Sequence, residues 1–303
     1  MTKTTPDLGG IIAAIPTPFD ANEELALDAL ASDITRWNAT RLDGYTVLGT
    51  TGEFVSLTTD EKKRVIERAR SAIPANKTML AGTGEESTRA TVALSRWAGE
   101  IGCDYAIVVT PHYARMMFSR DSLRQHYDRV ADASPIPIVI YHIPQCTGVD
   151  LSPQTVAEIA EHDNIAGIKD SSGNVFALQE MRRLCPADFV ILTGGAHVLH
   201  AALSVGADGA ILAEACSAPE LCVELRDAFE AGDLARARAL QERLANFNRI
   251  LIGKYGISGV KALLETQGFS GGPTRSPLTP LSREAVAELV AALELATEEP
   301  IAS

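Results

Sequence analysis

The run "NIAGIKDSSG", Asn164 to Gly173, places a lysine where an apolar stretch ends. Among the side chains of this sequence, Lys169 has the widest chemistry open to it. An ammonium at the end of a buried strand is poorly solvated, which favours the neutral, nucleophilic amine. Such an amine can form a Schiff base with a ketone, and the protonated imine withdraws electrons from the neighbouring carbon. A C–C bond can then be made or broken through an enamine, with a positioned hydroxyl moving the protons. Tyr141 ends the preceding apolar run, "PIVIYHIP". Adjacent strands lie about 4.8 Å apart, so its phenol can reach an imine on Lys169. Thr50 and Thr51, after "YTVLG", offer hydroxyls and backbone donors suited to a carboxylate. Tyr113 after "IVVTP", Ser171 after the lysine, Gly194 after "FVILTG" and the backbone around Ile211 complete the set of strand-end candidates. Each has a plainer reading alone: Lys169 as an ion-pair partner of Asp170 or Asp208, Tyr141 as a half-buried aromatic, Thr-Thr-Gly as a turn. Their joint placement favours catalysis, because a structural explanation needs several independent coincidences.

These side chains must be carried by a scaffold that gathers strand ends. Runs rich in Val, Ile and Leu recur between helical stretches, the pattern of a parallel sheet with crossover helices. They start at Gly10, Gly44, Thr78, Tyr105, Pro137, Ile165, Phe189 and Asp208. Thr58-x-x-Glu61 forms a capping box before "TDEKKRVIERAR", and Ser152-Pro153 supplies a cap and a first-turn proline. Eight strand–helix units fit an α/β fold of the TIM (β/α)8 barrel type, whose active sites lie at the C-terminal ends of the strands. A doubly wound open sheet is the alternative, but "GTGEES" at Gly82 lacks the third glycine of a phosphate-binding turn. After the eighth run only helical patterns follow, broken at Gly232-Asp233. The expected organisation is a catalytic barrel over residues 1–222 and a helical region over 223–303 packed on it. Long helices beyond a complete barrel point to an oligomer.

Composition narrows the partners. The net charge of −12 and the lack of any Lys/Arg-rich block argue against nucleic acid. No apolar run approaches the roughly 20 residues that span a bilayer, and Met1 to Leu8 is polar, so no membrane association and a cytoplasmic location are expected. Cys103, Cys146, Cys185, Cys216 and Cys222 form an odd set without C-x-x-C spacing, and most are expected to be reduced core residues. His112, His126, His142, His162, His197 and His200 include no H-E-x-x-H motif. Neither a metal nor a bound cofactor is expected. His142 follows Tyr141 directly and so points to the other face of its strand.

Taken together, "GTTGEFVSLTTDEK", "VVTPHY", "YHIPQCTG", "GIKDSSGN" and "GGPTRSPL" resemble the dihydrodipicolinate synthase and N-acetylneuraminate lyase family of class I aldolases. The resemblance runs from about Gly9 to Leu295 and implies a TIM barrel with a C-terminal helical region, assembled as a homotetramer of tight dimers. It implies that Lys169 condenses with pyruvate or another 2-oxo acid, that Tyr141 and Thr50 relay protons, and that Thr51 holds the substrate carboxylate. It further implies that Tyr113 completes the relay of a neighbouring subunit. Where the lysine-biosynthetic synthases carry an arginine for the carboxylate of aspartate semialdehyde, this chain has Cys146, which offers no guanidinium fork. Lys62, Glu86, Ala90 and His112 occupy the positions of the lysine feedback site with a different polar set, so feedback regulation is not expected. The style of "KDSSG" and "QGFSGGPTRSPL" resembles the 4-hydroxy-2-oxoglutarate aldolase branch, which yields pyruvate and glyoxylate. In that reading Ser171 and Cys146 contact the substrate. Condensation of pyruvate with aspartate semialdehyde is the alternative. Sugar-acid aldolase or dehydratase activity, and a non-catalytic 2-oxo-acid sensor, are further alternatives.

Overall fold

The computed structural model describes residues 7–298. Eight parallel strands close into a barrel in sequence order: β1 (Gly10–Ala14), β2 (Gly44–Val47), β3 (Thr78–Gly82), β4 (Tyr105–Val109), β5 (Ile138–His142), β6 (Ile165–Asp170), β7 (Val190–Thr193) and β8 (Gly209–Leu212). β8 pairs with β1 through Ile12 and Ile211, which closes the ring. The open-sheet alternative is thereby excluded. Each apolar run expected to be a strand is one, because a strand buried on both faces needs Val, Ile and Leu throughout rather than alternation.

The barrel interior is filled by Ile12, Ala14, Leu80, Ile107, Val139, Tyr141, Leu192 and Ile211. The outward side chains join the surrounding helices in two larger clusters. The helices begin where turn chemistry directs. Thr58 and Glu61 exchange the two bonds of a capping box, with the Glu61 carboxylate accepting from the Thr58 N–H at 2.9 Å. Ser152 accepts from the Thr155 N–H ahead of Pro153–Ile159.

One irregularity orients the candidate site. β5 and β6 pair as Ile138 with Ile165 and then Val139 with Gly167, so β6 carries an extra residue at this point. Without it Tyr141 would face Ile168, and a one-residue slip sends a strand's side chains to the opposite face. With it, Tyr141 pairs with Lys169 and His142 with Asp170. On its other side Gly167 lets β6 approach β7 closely, since a Cβ there would stand 2.4 Å from the Val190 carbonyl oxygen.

The helices after β8 are Pro219–Glu230, Leu234–Ile250, Gly256–Thr266 and Arg283–Thr297, with a π-helical turn at Leu251–Tyr255. The first of them runs through residue 222, where the sequence places the end of the barrel. Leu244, Phe247, Val260 and Leu263 share a core cluster with Ile11 and Tyr45 of the barrel. Cys103, Cys216 and Cys222 are buried, whereas Cys146 is exposed. Among the described residues no helix is long and apolar enough to cross a membrane.

Candidate active site

Lys169 is buried at the C-terminal end of β6 and its Nζ lies 4.3 Å from the centroid of the Tyr141 ring. That distance is within the range of a cation–π contact. The Tyr141 hydroxyl is 3.0 Å from Thr50 Oγ1. A hydroxyl chain from the β2 turn therefore ends beside the lysine.

The ion-pair reading of Lys169 does not hold among the described residues. The carboxylate of Asp170 is occupied by His142 Nδ1 at 2.6 Å and by the Ser172 hydroxyl at 2.6 Å. Asp208 pairs with Arg182 and accepts from the Ile191 N–H at 2.7 Å. Both carboxylates serve the outside of the barrel, because residues next to an inward-facing position point outward.

The other candidates fall around this pair. Thr51 is buried beside Thr50. The Ser171 N–H donates to the His142 carbonyl at 2.8 Å, and the Gly194 N–H donates to the Asp170 carbonyl at 2.6 Å. Gly194 is required by close approach, since a Cβ there would stand 1.9 Å from Ser171 Oγ and 3.0 Å from Lys169 Cε. Ile211 is an interior residue of β8. Cys146 sits in the short helix Pro144–Thr147 after β5. Tyr113 stands apart: its side chain is 91% exposed, and its N–H donates to Glu86 at 3.0 Å. The Glu86 carboxylate also accepts from the His112 N–H, while Lys62 pairs with Glu85 at 2.7 Å. Of the residues at the expected feedback positions, Glu86 and His112 bond to each other, and with Lys62 they line a cavity of about 330 Å³.

Two groups escaped the sequence reading. Glu214 begins the turn after β8, is buried, and accepts from the Asn248 side-chain amide of the helix Leu234–Ile250. Burial raises its pKa; the hydrogen bond from Asn248 and the Lys169 charge act the other way. A glutamate inside the apolar run "AILAEAC" was the available signal. The second is the support of the threonine turn. Leu48 and Glu53 flank Thr50 and Thr51 with φ of 60° and 55°, a conformation that non-glycine residues seldom adopt and that costs about 1–3 kcal/mol each. Glu53 is held by Lys261 at 2.7 Å and by the Arg275 N–H at 2.9 Å, and the Gly52 carbonyl accepts from Thr17 Oγ1 at 2.7 Å. The C-terminal region thereby braces the turn that presents Thr50.

His197 and His200 lie on consecutive short helical turns after β7, with His200 edge-on to Phe229. Among the described residues no group of three or more His, Cys, Asp or Glu side chains is arranged to hold a metal ion.

A parallel barrel whose C-terminal mouth sets a buried lysine against a tyrosine–threonine pair belongs to the aldolase-type lyases. The chain is a member of the dihydrodipicolinate synthetase family, whose model matches residues 7–296. It is 35% identical over 285 residues to a 4-hydroxy-tetrahydrodipicolinate synthase of Exiguobacterium sp., covering 94% of this chain and 97% of that protein. It is 38% identical to an uncharacterized DapA-like lyase of Halobacterium salinarum, covering 94% and 93% of the two chains. Among solved structures, the dihydrodipicolinate synthase DapA-2 of Bacillus anthracis superposes with a TM-score of 0.91 at 29% identity, covering 95% and 98%. YagE, a prophage protein of the dihydrodipicolinic acid synthase family from E. coli K12 solved in complex with pyruvate, superposes with a TM-score of 0.89 at 30% identity, covering 95% and 98%.

Proposed function

We propose that this protein is a pyruvate-dependent class I aldolase in which Lys169 forms the Schiff base without a bound cofactor. The observation that carries the reading is the placement of Lys169 Nζ 4.3 Å from the Tyr141 ring, with the Tyr141 hydroxyl 3.0 Å from Thr50 Oγ1. Lys169 attacks C2 of pyruvate, and the carbinolamine loses its hydroxyl as water to give the protonated imine. Tyr141, relayed by Thr50, supplies and removes the protons of these steps. Loss of a proton from the pyruvate methyl gives the enamine, whose carbon attacks an aldehyde. Hydrolysis of the new imine frees the product and restores the amine. Cleavage runs the same steps in reverse. Thr51, Ser171, Gly194 and the Ile211 backbone line the carboxylate and hydroxyl positions of the substrate.

The naming of the relatives favours condensation of pyruvate with aspartate semialdehyde. Cys146 favours a second reading, cleavage of 4-hydroxy-2-oxoglutarate, because a thiol cannot form the bidentate contact that an arginine makes with a carboxylate. The exposed side chains of Tyr113, Met116 and Met117 support assembly with further copies of the chain, up to a tetramer, with Tyr113 completing a neighbour's proton relay.

Borohydride with pyruvate should add mass at one lysine of the wild-type protein and at none in Lys169→Ala. An adduct that persists in Lys169→Ala overturns the assignment of the nucleophile. Condensation and cleavage measured side by side then decide the branch, and turnover of either substrate excludes a non-catalytic sensor.

A further inference from the structure

The connection from Ile143 to Leu151 leaves the C-terminal end of β5 and carries Gln145 and Cys146, and one imidazole closes it. His142 is the last residue of β5, and its side chain is 3% exposed on the outer face, behind Tyr141. Its Nδ1 lies 2.6 Å from Asp170 Oδ2, whose side chain is 1% exposed. Its Nε2 lies 3.2 Å from the Leu151 N–H nitrogen and 3.1 Å from Asp150 Oδ1. In the tautomer with Nδ1–H donating to Asp170, Nε2 accepts from the Leu151 N–H, and the mostly exposed Asp150 carboxylate receives no hydrogen bond from the ring. The ring therefore ties the end of the connection to its beginning, and ties both to the residue after Lys169. A second tie comes from Gln145, whose amide donates to the Ser171 carbonyl at 2.9 Å. Within the loop, Thr147 Oγ1 donates to the Ile143 carbonyl at 3.1 Å and accepts from the Val149 N–H at 3.2 Å.

We propose that His142 is a positioning residue for the second substrate: it holds the Ile143–Leu151 connection closed, and so fixes Gln145 and Cys146 over the carbon that reacts with the enamine. The inference rests on Lys169 as the imine-forming residue, and it separates two halves of the reaction. Pyruvate meets Lys169, Tyr141 and the threonine turn, none of which the Nε2 side of the ring touches. The aldehyde, or the distal part of a substrate to be cleaved, meets the connection.

His142→Asn keeps an amide donor where Nδ1 stands and removes the group that reaches Leu151 and Asp150. His142→Gln keeps a group that reaches them. In His142→Asn, borohydride trapping of pyruvate at Lys169 and deuterium exchange into the pyruvate methyl should stay within about twofold of wild type. KM for the second substrate should rise about tenfold, since misplacing a binding group by an ångström is costly. The two substrates to assay are aspartate semialdehyde in condensation and 4-hydroxy-2-oxoglutarate in cleavage. His142→Gln should recover most of that KM. Amide hydrogen exchange should accelerate in residues 143–151 of His142→Asn and not in β2 or β4, a readout that needs no second substrate. An unchanged KM with unchanged exchange in 143–151 overturns the proposal, as does loss of pyruvate trapping in parallel with the rise in KM. Should His142→Asn not fold, Asp170→Asn tests the same tie from its other end: its amide donates to Nδ1, Nε2 then carries the proton and can no longer accept from the Leu151 N–H, and unchanged exchange at Leu151 there overturns the proposal equally. Failure of the wild-type protein to trap pyruvate would instead remove the assigned function.

Discussion

Lys169 and Lys261 are both buried, both lie about 4.3 Å from an aromatic ring, and have opposite fates. Lys261 is saturated: its ammonium donates to the Thr17 carbonyl at 2.8 Å, to Glu53 at 2.7 Å and to the Pro273 carbonyl at 2.7 Å. Its three protons have three acceptors, so a tightly buried charge is compensated and the amine has no free face. Lys169 makes no hydrogen bond or ion pair among the described residues, and its Nζ lies over the face of Tyr141. Burial is therefore not what separates the lysine we propose as the nucleophile from a structural one. The distinction lies in whether neighbouring acceptors consume its protons. Lys62 and Lys77, the other buried lysines among the described residues, follow Lys261, with Glu85 and two backbone carbonyls as partners.

The largest effect that would break this comparison is catalytic. Lys169→Arg should lower turnover on the order of 10⁴-fold or more, the scale on which removal of a nucleophile acts. Lys169→Met should meanwhile change the urea-unfolding free energy by less than about 1 kcal/mol, because no partner is left unpaired. A destabilisation as large as that of Lys261→Met would show that Lys169 is a structural cation after all.

Lys261→Met is expected to cost about 3–5 kcal/mol in the same measurement, the cost of stranding the Glu53 carboxylate. Activity should also fall, since Glu53 anchors the left-handed turn beside Thr50. Pyruvate trapping at Lys169 should survive in whatever fraction remains folded.

Tyr141→Phe keeps the ring against Lys169 and removes the hydroxyl, so turnover should drop roughly 10²–10⁴-fold with the lysine still present. Thr50→Val should act in the same direction and more weakly, because it removes the second member of the relay. Equal kcat values for Tyr141→Phe and wild type would leave the ring as packing alone.

The legible parts of this molecule were those with local causes. Strand runs, the Thr58 capping box and the Ser152 cap are written in neighbouring residues, and the structure contains them as read. Lys169, Tyr141 and Thr50 were legible jointly, because a barrel brings strand ends to one face. Long-range choices were not. Alternation turns Asp170 outward, but nothing in "GIKDS" tells that it meets His142, since that register depends on the bulge opposite Val139. The Lys261–Glu53 pair joins residues 208 positions apart, and Glu214 finds Asn248 on a helix of the C-terminal region. Tyr113 falls between the two cases: its motif is local, but its side chain is 91% exposed and reaches no other candidate of the site.

A third buried base sharpens the comparison by having no counter-charge. His126 is 6% exposed in the helix Arg120–Ala133, and its Nδ1 meets Thr88 Oγ1 at 2.9 Å. Burial, aided by the nearby Arg129 charge, lowers its pKa from 6.5 to about 4. The folded state therefore holds this ring neutral while the unfolded chain protonates it below 6.5. Stability is fully present above pH 6.5 and is lost as pH falls from there towards 4, where the folded ring also takes a proton. The loss from this group at pH 4.5 is about 2 kcal/mol. His126→Asn cannot titrate, so the difference between its unfolding free energy and that of wild type should narrow or change sign by that amount between pH 7.5 and pH 4.5. Carboxylates titrate alike in both proteins and cancel in the difference. A difference constant across this range would mean that the ring reaches solvent in the folded state. Burial without a counter-charge suppresses charge at His126, at Lys261 the Glu53 carboxylate works against the same loss, and Lys169 is buried with its amine engaged by no acceptor among the described residues, the arrangement on which its proposed role rests.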